Sequence, residues 1–149
     1  MTDGADTAAR ADHADRVARV WRALLALVLE KNDRRRQASD ALELSYVKVK
    51  ALRRLATSPL SMRDLASTLT TDAPYTTLVV DELERRGFAA RQVNPTDRRS
   101  KLVSLTDEGR KAAAVAESIM TDPPDAFRGL PAGDLAHLER IVTQLGGFG

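Results

Sequence analysis

The stretch Asp97-Arg98-Arg99-Ser100-Lys101-Leu102-Val103-Ser104-Leu105-Thr106-Asp107-Glu108-Gly109 decides the fold, because it passes from a cationic hairpin tip to a strand and then to a capped helix. Val103 and Leu105 flank Ser104, the alternation of a strand with one face inward and the other in water. Arg91 and Val93 mark its partner strand, and Asn94-Pro95-Thr96-Asp97 supplies turn residues between the two. Arg98, Arg99 and Lys101 therefore stand at or beside an exposed tip. Arginine keeps its charge at any relevant pH, and a narrow DNA minor groove carries an enhanced negative potential, so such a tip suits that groove. Thr106 predicts a helix N-cap, with Asp107 and Glu108 at the positive end of the helix dipole.

Upstream, Ala73 to Arg86 reads as a helix capped by Asp72, with Pro74 tolerated in its first turn, Thr76, Val79, Val80 and Leu83 available for the core, and Gly87 ending it. Thr70-Thr71-Asp72 separates it from a shorter helix opened by Ser61-Met62-Arg63-Asp64, with Leu65, Ala66 and Leu69 inward. Two short helices across a tight turn, the second followed at once by a hairpin, describe a winged helix-turn-helix whose second helix enters the major groove. Its outward residues near the amino end are Ala73, Pro74, Tyr75, Thr77 and Leu78. They offer a hydroxyl pair and small or apolar groups able to meet thymine methyls, and no arginine, lysine, asparagine or glutamine for bidentate base reading. Modest direct readout is therefore expected. DNA shape, the wing residues Arg98, Arg99, Ser100 and Lys101, and the helix ends at Ser61, Thr71 and Asp72 supply the remaining contacts.

The two ends of the chain read as helices. Between Ala11 and Arg36, Ala14, Val17, Trp21, Leu24 and Val28 recur at helical spacing, with Val20 and Leu27 broadening the stripe, before a polar run from Asn32 to Gln37. Ser45 then predicts the cap of a second helix carrying Val49, Leu52 and Leu55, stopped by Ser58-Pro59. After the hairpin, Ala112, Val115, Ala116 and Ile119 form a stripe until Asp122-Pro123-Pro124 breaks the helix, and a last helix from Pro131 carries Leu135, Leu138, Val142 and Leu145. These faces exceed what a small winged domain needs. A second copy would cover Ala14, Val17, Trp21, Leu135, Leu138, Val142 and Leu145, the alternative being packing within one chain. A two-fold dimer would set its recognition helices about 34 Å apart, one DNA turn, matching a pseudo-palindromic operator. Trp21, on the regular stripe, reads as core or interface packing ahead of a ligand-pocket aromatic. The expected fold is mainly α, ordered helix, helix, strand, helix, helix, strand, wing, strand, helix, helix. Residues 1–40 and 107–149 are expected to dimerise and residues 41–106 to form the DNA-binding domain.

Composition narrows the function classes. A formal charge of +2 and a pI near 9.2 are too mild to argue for nucleic acid by themselves, so the argument rests on the clustering of Arg85, Arg86, Arg91, Arg98, Arg99 and Lys101. The chain has no cysteine, which excludes disulfides, thiolate metal sites and thiol-based redox sensing within it. His13 and His137 lie far apart on helical stripes, and no metal or cofactor is expected. The longest apolar stretch, Ala23 to Leu29, is too short for a membrane span, and the start from Met1 to Asp12 lacks a signal-peptide pattern, so a soluble cytoplasmic protein is expected. No paired carboxylates, nucleophile with a base, or phosphate loop stands out, and the glycines at the chain end read as a frayed terminus. No catalytic residue and no enzyme is expected.

Taken together, Asp97-x-Arg99-Ser100 followed by Leu105-Thr106-x-x-Gly109, Leu44-Ser45, Asp64-Leu65-Ala66, and Leu83-Glu84-Arg85-Arg86-Gly87-Phe88 resemble a MarR-family (multiple antibiotic resistance regulator) transcriptional regulator, over nearly the whole chain. The resemblance implies a homodimer built from the terminal helices, with a winged domain on each side binding promoter DNA. It implies that Arg99 reaches into the minor groove and that Asp97 orients the wing. It also implies a repressor released by a small, often aromatic effector held between dimer helices and DNA-binding lobe, with no ligand residue assigned. Alternatives are a winged-helix protein-interaction module and a DNA binder without ligand control. Thr70 stands where the family usually has glycine, Thr76 where a larger aliphatic is common, Leu78 where a polar or basic residue is frequent, and Pro123-Pro124 interrupts what is often one long helix.

Overall fold

A computed structural model describes residues 3–146; Met1, Thr2, Gly147, Phe148 and Gly149 lie outside the described residues. Helix α1 (Asp3–Leu25) runs on as a π-helical segment, Ala26–Lys31, and the chain breaks at Asn32 before α2 (Arg34–Leu42). The single helix expected from Ala11 to Arg36 is thus divided, which adds one helix to the expected order. The cause is local. Asn32 Nδ2 donates to the Leu27 carbonyl at 2.9 Å and the Asp33 carboxylate accepts from Arg36 N at 3.1 Å, so short polar side chains compete with the helix for its own backbone groups and start a new one.

The winged core follows as α3 (Tyr46–Leu55), β1 (Leu60–Ser61), α4 (Met62–Leu69), α5 (Ala73–Arg85), β2 (Ala89–Val93) and β3 (Lys101–Leu105). The sheet is antiparallel in the order β1-β3-β2, with Val103 opposite both Leu60 and Arg91. Val49, Leu52, Leu65, Val79, Val80, Leu83 and Val103 are fully buried and make its centre. The caps at Ser61, Asp72 and Thr106 form as expected: each side chain accepts the backbone N–H three residues on, from Asp64, Tyr75 and Gly109 respectively. Ser45 occupies the N-cap position of α3, yet only its carbonyl is used there, accepting from Lys48 and Val49; the expected side-chain cap does not form.

Helix α6 (Asp107–Thr121) lays Ala112, Ala113 and Ala116 against the core. Val115 is exposed, a correction to the expected stripe: α2 and α3 both pack on α6, whose buried face carries Ala113 beside Ala112 and Ala116. Asp122-Pro123-Pro124 ends α6 as expected, and a single turn, α7 (Asp125–Arg128), precedes α8 (Ala132–Gln144). That turn is also additional to the expected order. No described helix is long and apolar enough to cross a membrane.

Two features of this frame carry measurable consequences. Thr70 ends α4 in the left-handed region at φ 58°, where a β-branched side chain is strained, while its N–H and that of Thr71 bond back to carbonyls of α4. Thr70→Gly is expected to raise unfolding stability by about 1 kcal/mol, read as a higher urea midpoint; an unchanged or lower midpoint would contradict the strain. Arg53 on α3 donates to Glu117 on α6 at 2.6 Å, and this hydrogen bond holds the Glu117 carboxyl below the ordinary carboxylate range. A folded-state pKa below the unfolded one stabilises the fold above the unfolded pKa and loses that contribution as pH falls through the folded value. Glu117→Gln should therefore cost little at the acid end and flatten the loss of stability below about pH 4.5, the unfolded carboxyl's range, in urea melts taken across pH.

Candidate nucleic-acid interface

Three elements meet around one open groove of about 820 Å³: the start of α4 with Ser61, Arg63 and Asp64, the side of α5 with Thr77 and Asp81, and the wing with Asn94, Asp97, Arg99, Ser100 and Lys101. Ser61, Thr77, Asp97, Arg99, Ser100 and Lys101 were expected site residues, and folding brings them to the same concavity. Ala73, Pro74, Tyr75 and Leu78 lie outside its lining, exposed on α5. Arg98 is exposed at the tip. Thr71 and Asp72 are committed to the helix-turn-helix itself. The Thr71 hydroxyl pairs with that of buried Thr76 at 2.9 Å, and Thr76 also donates to the Asp72 carbonyl at 2.7 Å. This pair ties the turn to α5 and accounts for a hydroxyl at a core position, since a buried polar group must be hydrogen-bonded to be tolerated.

The wing is a braced loop. Asn94 N–H donates to the Ser100 carbonyl at 3.1 Å, its Oδ1 accepts from Thr96, and its Nδ2 donates to Ser100 Oγ. Asp97 accepts the Arg99 N–H on its carboxylate at 3.0 Å and the Ser100 N–H on its carbonyl at 3.0 Å, which sets the backbone from which Arg99 projects. Among the described residues no acceptor engages the side chains of Arg98, Arg99 or Lys101, so three cations stand in water at a fixed tip.

The other half of the expected basic cluster has different employment. Arg91, on β2, pairs with Asp81 at 2.7 Å and with Glu84, locking the strand to α5. Arg85 donates twice to Glu82, at 2.8 and 2.6 Å, and Arg86 donates to the Leu42 carbonyl at 2.7 Å while lying over Phe88. The partners of Arg91 and Arg86 were not legible in the sequence, because Asp81, Glu84 and the Leu42 carbonyl reach them only once α2, α5 and β2 are packed, whereas Glu82 and Arg85 are a local pair three residues apart on α5. Arg63 was missed altogether. Its signal was present: a lone cation in the first helical turn, two residues after a capping serine.

The terminal helices present the second feature. Every side chain from Thr7 to Leu25 is exposed, and α8 has no buried residue. Val17 and Trp21 of α1 line an apolar groove of about 380 Å³ with Leu145, just beyond α8. Trp21 is 59% exposed, so packing within this chain's core is not its role. Ala14 and Leu135 are exposed on the same two helices, while Leu138 and Val142 are half-buried.

Residues 44–101 match the model of the MarR family, which spans the winged core from the start of α3 to the wing. Among solved structures the chain is similar to MarR from E. coli in its apo form, at 23% identity and TM-score 0.66, over 82% of this chain and 93% of that one. It is similar to the YusO protein of Bacillus subtilis at 21% identity and TM-score 0.69, over 91% and 98% of the two chains. MepR of S. aureus, in a structure described as a MepR-DNA complex, matches at 22% identity and TM-score 0.60, over 85% and 98%. At these identities the likeness establishes a shared fold.

Proposed function

We propose that the chain is a winged-helix transcription regulator of the MarR family and not an enzyme, a homodimeric repressor holding a pseudo-palindromic operator through α5 and the wing. The observation that carries this reading is the set of unpaired cations Arg98, Arg99 and Lys101 on a braced tip, beside a groove shared with α4 and α5. Such groups gain by displacing counterions from phosphates, and a minor groove rewards the arginines further. MepR, which shares the fold, is described in complex with DNA, and this supports DNA as the partner. Ser61, Thr77, Ser100 and the exposed end of α5 complete the contact set, with Asp97 as the wing's orienting residue.

Residues 41–106 then form the DNA-binding part, and residues 1–40 and 107–149 the dimerisation part. The exposed apolar faces of α1 and α8 support this division, since a second copy would remove Val17, Trp21 and Leu145 from water. Release by a small aromatic effector belongs to the same reading and requires a ligand whose affinity differs between the two dimer geometries. The test is a mobility-shift titration on DNA from upstream of the protein's own gene, with sedimentation of the same sample. A dimer that shifts this DNA is expected, and Trp21→Asp, which places a carboxylate in the apolar groove, should sediment as a monomer with its winged domain still folded by circular dichroism. A wild-type monomer, or no shift at low salt, would overturn the reading.

A further inference from the structure

Apart from the Tyr75 hydroxyl on its flank, the hydrogen-bonding groups near the outward face of α5 are largely used within the protein. Thr77 Oγ1 donates to the Ala73 carbonyl at 3.0 Å, and the hydroxyls of Thr71 and Thr76 face each other at 2.9 Å. The Asp72 carboxylate accepts from Tyr75 N–H at 2.7 Å. Farther along the helix, Asp81 is held by Arg91 and Arg85 by Glu82. With Thr76, Val79, Val80 and Leu83 buried, helical geometry turns Pro74 and Leu78, one turn apart, directly away from the core. Leu78 is 63% exposed and Tyr75, on the flank, 41%. Pro74, Leu78 and the methyl groups of Ala73 and Thr77 therefore make an apolar strip in the place where a groove-reading helix makes its base contacts. An exposed leucine there has no counterpart in the core or in the apolar groove of the terminal helices.

We propose that this strip reads the C5 methyl group of pyrimidines in the major groove, so that the recognition helix selects thymine and accepts 5-methylcytosine in its place. The proposal rests on the DNA-binding reading above and specifies its ligand. Thymine and cytosine differ in the major groove by an acceptor against an amino donor, and by the methyl group that only thymine carries. Pro74 and Leu78, whose side chains carry neither donor nor acceptor, cannot sense the first difference. They can sense the second, because a methyl group seated on Leu78 leaves water. The transfer value of one buried methyl corresponds to about fourfold in affinity, and two symmetric half-sites together to about fifteenfold.

The experiment uses the full-length protein and a random-sequence duplex library, from which the tightest duplex is selected and resynthesised. Its thymines in each half-site are replaced with deoxyuridine, which removes the methyl and leaves the base pairing intact. The same positions are separately made C·G and 5-methyl-C·G pairs. The expected result is about fourfold weaker binding per contacted deoxyuridine, with 5-methyl-C·G bound more tightly than C·G by the same factor. Leu78→Ala, at an exposed position that leaves the core intact, should abolish both differences and keep the salt dependence. Equal binding of thymine and deoxyuridine duplexes by the wild type overturns methyl reading while DNA binding stands. Failure to enrich any duplex overturns both.

Discussion

Gly109→Ala is expected to unfold the winged domain or to lower its stability by at least about 3 kcal/mol, the upper range of what overpacking costs. A Cβ at Gly109 would lie 1.8 Å from the Phe88 carbonyl oxygen and 2.8 Å from its carbonyl carbon. Both are backbone atoms, and they have no room to retreat. The Phe88 carbonyl accepts the Thr106 N–H at 3.0 Å, and Thr106 Oγ1 donates to the Gly87 carbonyl at 2.6 Å while accepting from Gly109 N–H. Thus the start of α6 is stitched to the segment that ends α5 through two hydrogen bonds, and the missing side chain is what lets the two backbones touch. Against a total stability of roughly 5 to 15 kcal/mol, such a loss is large. Gly133→Ala provides the control, since nothing lies within 4 Å of its would-be Cβ, and its urea midpoint should hold or rise slightly. Equal midpoints for Gly109→Ala and the wild type would show that the α5–α6 junction is looser than described.

Arg99→Ala is expected to weaken DNA binding by about tenfold to a hundredfold, and to reduce the slope of log affinity against log salt by about one for each wing. The backbone N–H of Arg99 is fixed by the Asp97 carboxylate, while its guanidinium has no partner among the described residues. Removing the side chain therefore takes away a cation and leaves the wing's internal bonds in place. Fluorescence anisotropy on a labelled operator duplex, repeated over a salt series, separates the two effects. Arg140→Ala on α8 supplies the charge control, because it removes one cation far along the chain from the wing. The same affinity and slope for Arg99→Ala and wild type would place the DNA elsewhere on the molecule.

The features that were legible in the sequence are those made by neighbours along the chain. Ser61, Asp72 and Thr106 cap their helices because a cap needs only its own side chain and an N–H three residues on. The break at Pro123-Pro124 and the left-handed Gly87 are equally local. The helix of the amino-terminal third was misjudged because its apolar periodicity ran past Asn32 and Asp33, whose short side chains capture nearby backbone groups more effectively than periodicity can prevent. The π-helical turn before that break had no sequence signal of its own.

By itself the sequence determined the winged helix-turn-helix, the position of the basic tip and the two apolar ends, since alternation, capping and turn chemistry act over a few residues. Tertiary structure decided which charges are free. Arg91 joined Asp81 and Glu84, and Arg86 the Leu42 carbonyl, because each pairing depends on where α2, α5 and β2 lie in space. Arg98, Arg99 and Lys101 remained in water because the wing protrudes beyond every acceptor described. Composition assigns charge to a residue, but packing decides whether that charge faces a carboxylate of the same chain or a partner outside it.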